Sequence, residues 1–384
     1  MGNKKNIADK PLSRHFADNK KTSIKMSPIQ KDARDRIIEK IKHKTYNLIE
    51  VNCPICNSRL KALISEKDAY GLPVHTSICK DCGFIYSNLR FSDETLKDYY
   101  VNENIILDRG VVLPEKYLFD LEIEKGKIIM EFLKNHSLLK RLENKLIVEI
   151  GCGSGGILAY FKGLGFKVLG CDIDRKPAEY GYKIGNVDII IGTLENLKKR
   201  LRDEKMPIGL IMYEQSLEHM PYPKDEIIKV KEIMSEKTIL FVGVPGFRDI
   251  DKHYDSDILQ YLQPGHLLHF DLQSLSKMMS EIGLSLITGN EKIQAVFKNG
   301  EHGNSIQTHS YENNIKYLKA LENNRKIRYL KRLPKMIIYL IVYNIGHIVK
   351  INLEKIGLLE TDENDKIFKI INNARRFLDK IFYL

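Results

Sequence analysis

The run Lys145-Leu-Ile-Val-Glu-Ile-Gly-Cys-Gly-Ser-Gly-Gly156 constrains this chain more than any other stretch. An apolar strand ends in an acid, Glu149, and the chain then turns on Gly151, Gly153 and Gly155 into a helix. Glycine lets backbone approach a ligand closely and adopt dihedrals that other residues avoid. A helix that opens on such a turn presents free N–H groups at its N-terminus. That suits a nucleotide-like cofactor lying across the carboxyl ends of parallel strands. The glycine pattern alone occurs in many doubly wound domains, so its meaning depends on the strands downstream of it.

Phe166-Lys-Val-Leu-Gly-Cys-Asp172 reads as a second strand ending in an acid, placed about 20 residues after the turn to hold ribose hydroxyls. Asp188–Glu195 reads as a third strand with its loop, Ile208–Met220 as a fourth running into a loop, and Thr238–Gly246 as a fifth. Helical patterns lie between them, as at Lys224–Met234 and Gln273–Gly283. Strands alternating with helices predict a parallel α/β sheet.

This layout resembles class I S-adenosylmethionine-dependent methyltransferases. The residues that carry the resemblance are Glu149-Ile-Gly-Cys-Gly-Ser-Gly155, Gly170-Cys-Asp172, Leu217-Glu-His-Met220 and Pro264-Gly-His-Leu-Leu-His-Phe270, over roughly residues 115–300. It implies an α/β fold with a Rossmann-like seven-stranded sheet, helices on both faces, and S-adenosyl-L-methionine as cofactor. It also implies cofactor contacts from Glu149, Gly151, Gly153, Gly155, Asp172, Ile173, Thr193, Leu194 and Glu214, with Glu149 near the methionine end. Nicotinamide dehydrogenases usually lack an acid two residues before the first glycine. Two other roles stand beside these. Glu149 also fits a strand-end carboxylate satisfied by backbone N–H groups, and Asp172 fits a helix N-cap, with Asp174 a competitor.

The second signal is cysteine spacing. Cys53-Pro-Ile-Cys56 and Cys79-Lys-Asp-Cys82 are separated by 22 residues. Two Cys-x-x-Cys pairs so spaced predict a tetrahedral four-thiolate Zn2+ site. No βαβ pattern surrounds either pair, which disfavours a redox site. Four sulfurs leave no open coordination position, so the role is structural, in a segment too short to bury much core. Gly83 is expected to let N–H groups face the sulfurs. Cys152 and Cys171 fit small buried positions. The polar, charged N-terminus and the unpaired thiols place the chain in a reducing compartment, the cytoplasm.

The formal charge is +11, and it sits at the ends. Residues 1–50 and 311–384 each carry a net +7, and residues 51–310 carry −3. A mildly acidic catalytic region argues against nucleic acid as a partner. The expected organisation is a basic, disordered tail over 1–45, a zinc ribbon over 46–100, the methyltransferase domain over 115–300 and a helical extension over 301–384. A short helix is expected over Ile37–Ile49. Arg325–Lys335 is basic and precedes an apolar run of about 14 residues, Met336–Val349. A bilayer span needs about 20. The run therefore fits a core or homodimer helix, or a peripheral membrane contact through 325–350 at the inner face. Lys366–Leu384 is amphipathic.

Methyl transfer needs an in-line nucleophile, and an alcohol nucleophile needs a partner for its proton. His219, His266 and His269 fall in loops over the carboxyl ends of the strands. Histidine titrates near neutrality, and His266 is the candidate base, with His219 beside it. A histidine bonding backbone in its loop is the competing role. The domain order is also similar to that of sugar C-methyltransferases, whose corresponding loop reads Tyr-x-Glu-His. Gln263, Gly265 and His266 stand at those positions here, so only the histidine is kept. The expected activity is therefore O-methylation of a sugar of a surface glycan or of its nucleotide- or lipid-linked precursor. The alternatives are a quinone or secondary-metabolite O-methyltransferase, a sugar C-methyltransferase, and a zinc-ribbon binding module with a degenerate cofactor domain.

Overall fold

The computed structural model describes residues 10–110, 114–204, 206–300 and 310–330. Residues 1–319 form one compact unit and 320–384 a second.

The expected disordered tail is instead folded from residue 10 onward. Three of its apolar residues, Phe16, Ala33 and Ile37, are fully buried. Helix α1, Pro28–Lys42, begins earlier than the sequence pattern suggests, because Ser27 and Gln30 form a reciprocal capping box ahead of it. Four short strands follow, β1 (Leu48–Glu50), β2 (Lys61–Ser65), β3 (His75–Cys79) and β4 (Ile85–Phe91), paired antiparallel in the order β1-β4-β3-β2. After them come α2 (Asp93–Tyr99), a π-helical turn over Tyr100–Asn104, and α3 (Ile105–Arg109).

The remaining elements of the unit are α4 (Glu115–Asn135), β5 (Leu146–Ile150), α5 (Gly156–Gly163), β6 (Lys167–Asp172), α6 (Arg175–Gly185), β7 (Ile189–Ile191), α7 (Leu194–Leu201), β8 (Ile208–Glu214), α8 (Pro223–Lys231), β9 (Ile239–Gly243), the short α9 (Ile250–His253) and α10 (Ile258–Tyr261), β10 (Leu268–His269), α11 (Leu272–Glu281), β11 (Leu284–Gly289) and β12 (Gln294–Asn299). Seven of these strands form the expected sheet, in the order β11-β12-β9-β8-β5-β6-β7. The five from β9 to β7 are parallel, and β12 pairs antiparallel to β9 and to β11. Alternate residues serve opposite faces. Leu210 and Met212 of β8 pack with Ile157 and Phe161 of α5, whereas Ile211 and Tyr213 pack with Leu197 of α7 and Ile227 of α8. Chain order reverses between β5 and β8, so a crevice opens where both strands end.

The zinc-ribbon segment is not a module apart. β10, from the catalytic half of the chain, is a fifth strand on β4, pairing Leu268 with Tyr86 and His269 with Ile85. Cys53, Phe84 and Tyr86 share one apolar core with Leu268, Phe270 and Met279. Residues 310–319 begin a helix within the same unit. Its Asn314 donates to Gly83 O at 2.9 Å.

In the second unit residues 320–330 are helical, and Arg325 forks onto the carboxylate of Glu322. The apolar run and the amphipathic terminus lie outside the described residues. No helix among the described residues is long and apolar enough to cross a membrane.

Candidate active site

The glycine turn stands where the sequence places it, with Gly151, Gly153 and Gly155 at φ of 72°, 54° and 71°. A Cβ on Gly151 would lie 2.7 Å from the Cβ of Ser216, so backbone dihedral and space both require glycine there. The N–H groups are not free, contrary to expectation. Gly153 N donates to Asp172 Oδ2 at 2.7 Å, and Gly156 N and Ser154 Oγ donate to Glu122 Oε2 at 2.8 and 2.7 Å. Glu122 therefore caps α5 from α4, favourably placed at the positive end of that helix. Asp172 also accepts from Asp174 N, while Asp174 caps α6. Asp174, not Asp172, is therefore the N-cap of α6.

A row of carboxyls crosses the crevice. Glu149 ends β5 almost fully buried, and its Oε2 has no hydrogen-bond partner among the described residues. Burial raises its carboxyl well above the usual range, and Glu122 and Glu214 beside it push the same way. Glu214 ends β8, and burial pushes it up to about 7 against the pull of Lys125, whose Nζ lies 3.7 Å away. Burial also raises Glu122 and Asp172. So many buried acids around one lysine favour a cationic occupant. A pyrophosphate would meet capped N–H groups and like charge. The ammonium and sulfonium of S-adenosylmethionine fit this donor set.

Of the remaining expected contacts, Thr193 caps α7 and follows Gly192, whose N–H donates to Asp172 O at 2.8 Å. Ile173 is exposed at the end of β6, while the Leu194 side chain is committed to the core. Glu122 and Lys125 escaped the sequence reading. They lie one turn apart on α4, 29 and 26 residues before Gly151, and no motif marks them.

Beyond β8 the histidines separate. His269 is buried in β10 against Tyr261, both ring nitrogens lack partners among the described residues, and burial lowers it to about 3. It is a neutral core residue, not a base. His219 and His266 meet edge to face, 5.0 Å between ring centroids, and converge with Glu218. Burial lowers both histidines, so they stay neutral near pH 7. The loop is pinned from two sides: Leu267 N donates to Glu218 O at 2.9 Å, and Ser87 of β4 donates from N to Leu267 O and from Oγ to His266 O.

The four cysteines form a separate cluster. The Cys53–Cys82 and Cys56–Cys79 sulfur pairs are each 3.5 Å apart, and all four sulfurs lie within 4.8 Å. A tetrahedron of about 2.3 Å zinc–sulfur bonds has edges of about 3.8 Å. A disulfide would need about 2.0 Å. Asn57 and Gly83, each directly after a pair, have φ of 58° and 75°, and their N–H groups donate to Cys53 O and Cys79 O. The N–H groups of Ser58, Cys82 and Phe84 face the sulfurs of Cys56, Cys79 and Cys82. The donor set fits Zn2+.

Residues 125–288 match the family model described as a methyltransferase domain. The chain carries a methyltransferase domain. Its acid-lined crevice suits the cationic end of S-adenosylmethionine. Among similar solved structures is the plantazolicin methyltransferase BpumL in complex with a desmethylPZN analogue and SAH, 13% identical over 60% of this chain and 88% of that one, with a TM-score of 0.40. An O-methyltransferase family protein from Burkholderia thailandensis is 10% identical over 50% and 60%, TM-score 0.37. A SAM-dependent methyltransferase from Archaeoglobus fulgidus is 16% identical over 54% and 93%, TM-score 0.35. No curated protein matches in sequence.

Proposed function

We propose that this methyltransferase methylates a hydroxyl oxygen of a sugar, in a surface glycan or its nucleotide- or lipid-linked precursor. The observation that carries the reading is the convergence of Glu218, His219 and His266 next to the cofactor acids, with Lys125 reaching toward both groups. Glu149 and Glu214 would hold the cationic methionine end, Asp172 the ribose, and Ile173 and Thr193 the nucleoside flank. S-adenosylmethionine supplies the electrophilic methyl group. The hydroxyl oxygen bonds to the methyl carbon as the carbon–sulfur bond breaks, its electron pair stays on sulfur, and the hydroxyl proton leaves through the histidine cluster. Neutral imidazoles can take that proton, and the buried Glu218 would stabilise the resulting cation. The four cysteines support a structural zinc site that holds the acceptor loop through β4.

The test is transfer from deuterated S-adenosylmethionine to a panel of free sugars, nucleotide sugars and lipid-linked glycans. Product analysis by NMR is expected to place the label on oxygen. Label found only on carbon, nitrogen or protein would overturn the reading.

A further inference from the structure

Glu218, His219 and His266 each offer one ligand atom, and the three atoms lie within 4.8 Å of one another. Glu218 is 1% exposed, and neither carboxylate oxygen has a hydrogen-bond partner among the described residues. A buried carboxyl is costly in that state unless something neutralises it. The His219 ring is oriented from behind. Its Nδ1 lies 2.8 Å from Gly265 O and 2.9 Å from the hydroxyl of Tyr100, which itself donates to Gly265 O at 2.5 Å. A carbonyl only accepts, so Nδ1 carries the proton and Nε2 keeps its lone pair. That Nε2 lies 3.8 Å from Glu218 Oε1. A histidine whose far nitrogen is fixed by a backbone carbonyl is typical of metal ligation. Tyr100 reaches this point from a π-helical turn, a distortion frequent at functional sites.

We propose that Glu218, His219 and His266 bind a divalent transition-metal cation. Two imidazoles and one carboxylate suit Zn2+, Co2+, Fe2+ or Mn2+ and leave coordination positions open. Both histidines are only partly buried, so the open side can admit an oxygen ligand. The site is chemically distinct from the four thiolates, which close around their ion. Its catalytic use rests on the proposed O-methylation. With the cation bound, the imidazole lone pairs are engaged on the metal, so a hydroxyl bound to it would be acidified and would lose its proton to water near neutral pH, in place of transfer to the imidazoles.

Cobalt binding to the full chain, with zinc already on the cysteines, tests the proposal without turnover. Titration with Co2+ to millimolar concentration is expected to saturate at one equivalent. The spectrum should show weak d–d absorption without the intense sulfur-to-cobalt charge-transfer band. Glu218→Gln and His266→Asn should each weaken this binding at least tenfold, while zinc content and thermal midpoint hold. Absence of the nitrogen–oxygen spectrum in the unaltered protein would overturn the proposal, since Glu218 would then simply keep a proton. A spectrum that persists in both variants would overturn it too. Cobalt bound by these residues in an enzyme that labels carbon or nitrogen would uphold the cation site while the oxygen reading falls.

Discussion

Glu214 shows how one residue couples cofactor binding to pH. Burial holds its carboxyl up at about 7, with Lys125 opposing. A cationic cofactor favours the carboxylate, so binding lowers this pKa and releases a proton. Affinity is therefore fullest above the free-protein value and falls as pH drops through it. The dissociation constant for S-adenosylmethionine should rise up to about tenfold per unit below pH 7 and level off above pH 8. Glu214→Gln should flatten that profile and weaken binding about tenfold at pH 8. Calorimetry in buffers of different ionisation enthalpy reads the proton release directly, and a flat profile in the unaltered protein would disconnect Glu214 from the cofactor. Much of this residue-level site was legible. Glu149, Asp172 and the glycines follow from strand ends and turn chemistry, which are local. Glu122 was not, because its partner is the N-terminus of a helix more than 30 residues away in sequence.

At the scale of elements, α4 and α5 are joined by that carboxylate. Three donors of the turn, Ser154 Oγ, Gly156 N and more distantly Ser154 N, converge on Glu122. Loss of a capping side chain costs about 1 kcal/mol, and here it also frees the loop that shapes the crevice. Glu122→Ala should therefore lower stability by about 1–2 kcal/mol and weaken cofactor binding about tenfold, whereas Glu122→Gln should retain most of the stability. Urea denaturation and equilibrium binding measure the two effects separately. Equal stability in all three proteins would show that the cap is idle. The sheet elements were readable because β5, β6, β8 and β9 are continuous apolar runs, as buried parallel strands are. The N-terminal fold was not. A polar segment with only scattered apolar residues such as Phe16, Ala33 and Ile37 looks solvated until the surface that covers them is known.

The whole compact unit is organised by a strand that belongs to two places at once. Leu268–His269 comes just after His266 in the chain yet pairs with β4, which begins three residues after Cys82. Spacing alone predicted a four-cysteine metal site and a histidine loop. It could not show that one holds the other, since strand pairing over such a distance leaves no local trace. The link has a kinetic consequence. The cofactor crevice is framed by β5, β6 and β8, whose α4–α5 side packs in a cluster that contains none of the four cysteines, while Val148, Ile150, Leu169 and Tyr213 on the opposite side belong to the core that holds Cys53, Cys79 and Cys82. The His266 loop, by contrast, hangs on β4 through Ser87. Structural zinc contributes several kcal/mol to folding, so Cys79→Ser should lower the thermal midpoint by roughly 10 °C or more. Below that midpoint, turnover should fall at least tenfold and the acceptor KM should rise. Affinity for S-adenosylmethionine should change less than the acceptor KM, because the glycine turn is held by Glu122 and Asp172 and its α4–α5 side packs apart from the cysteines. Chelation of the zinc should reproduce the split. A cysteine variant that loses cofactor affinity and turnover in equal measure would refute the division. One that loses stability with unchanged turnover would show that β4 does not hold the histidine loop.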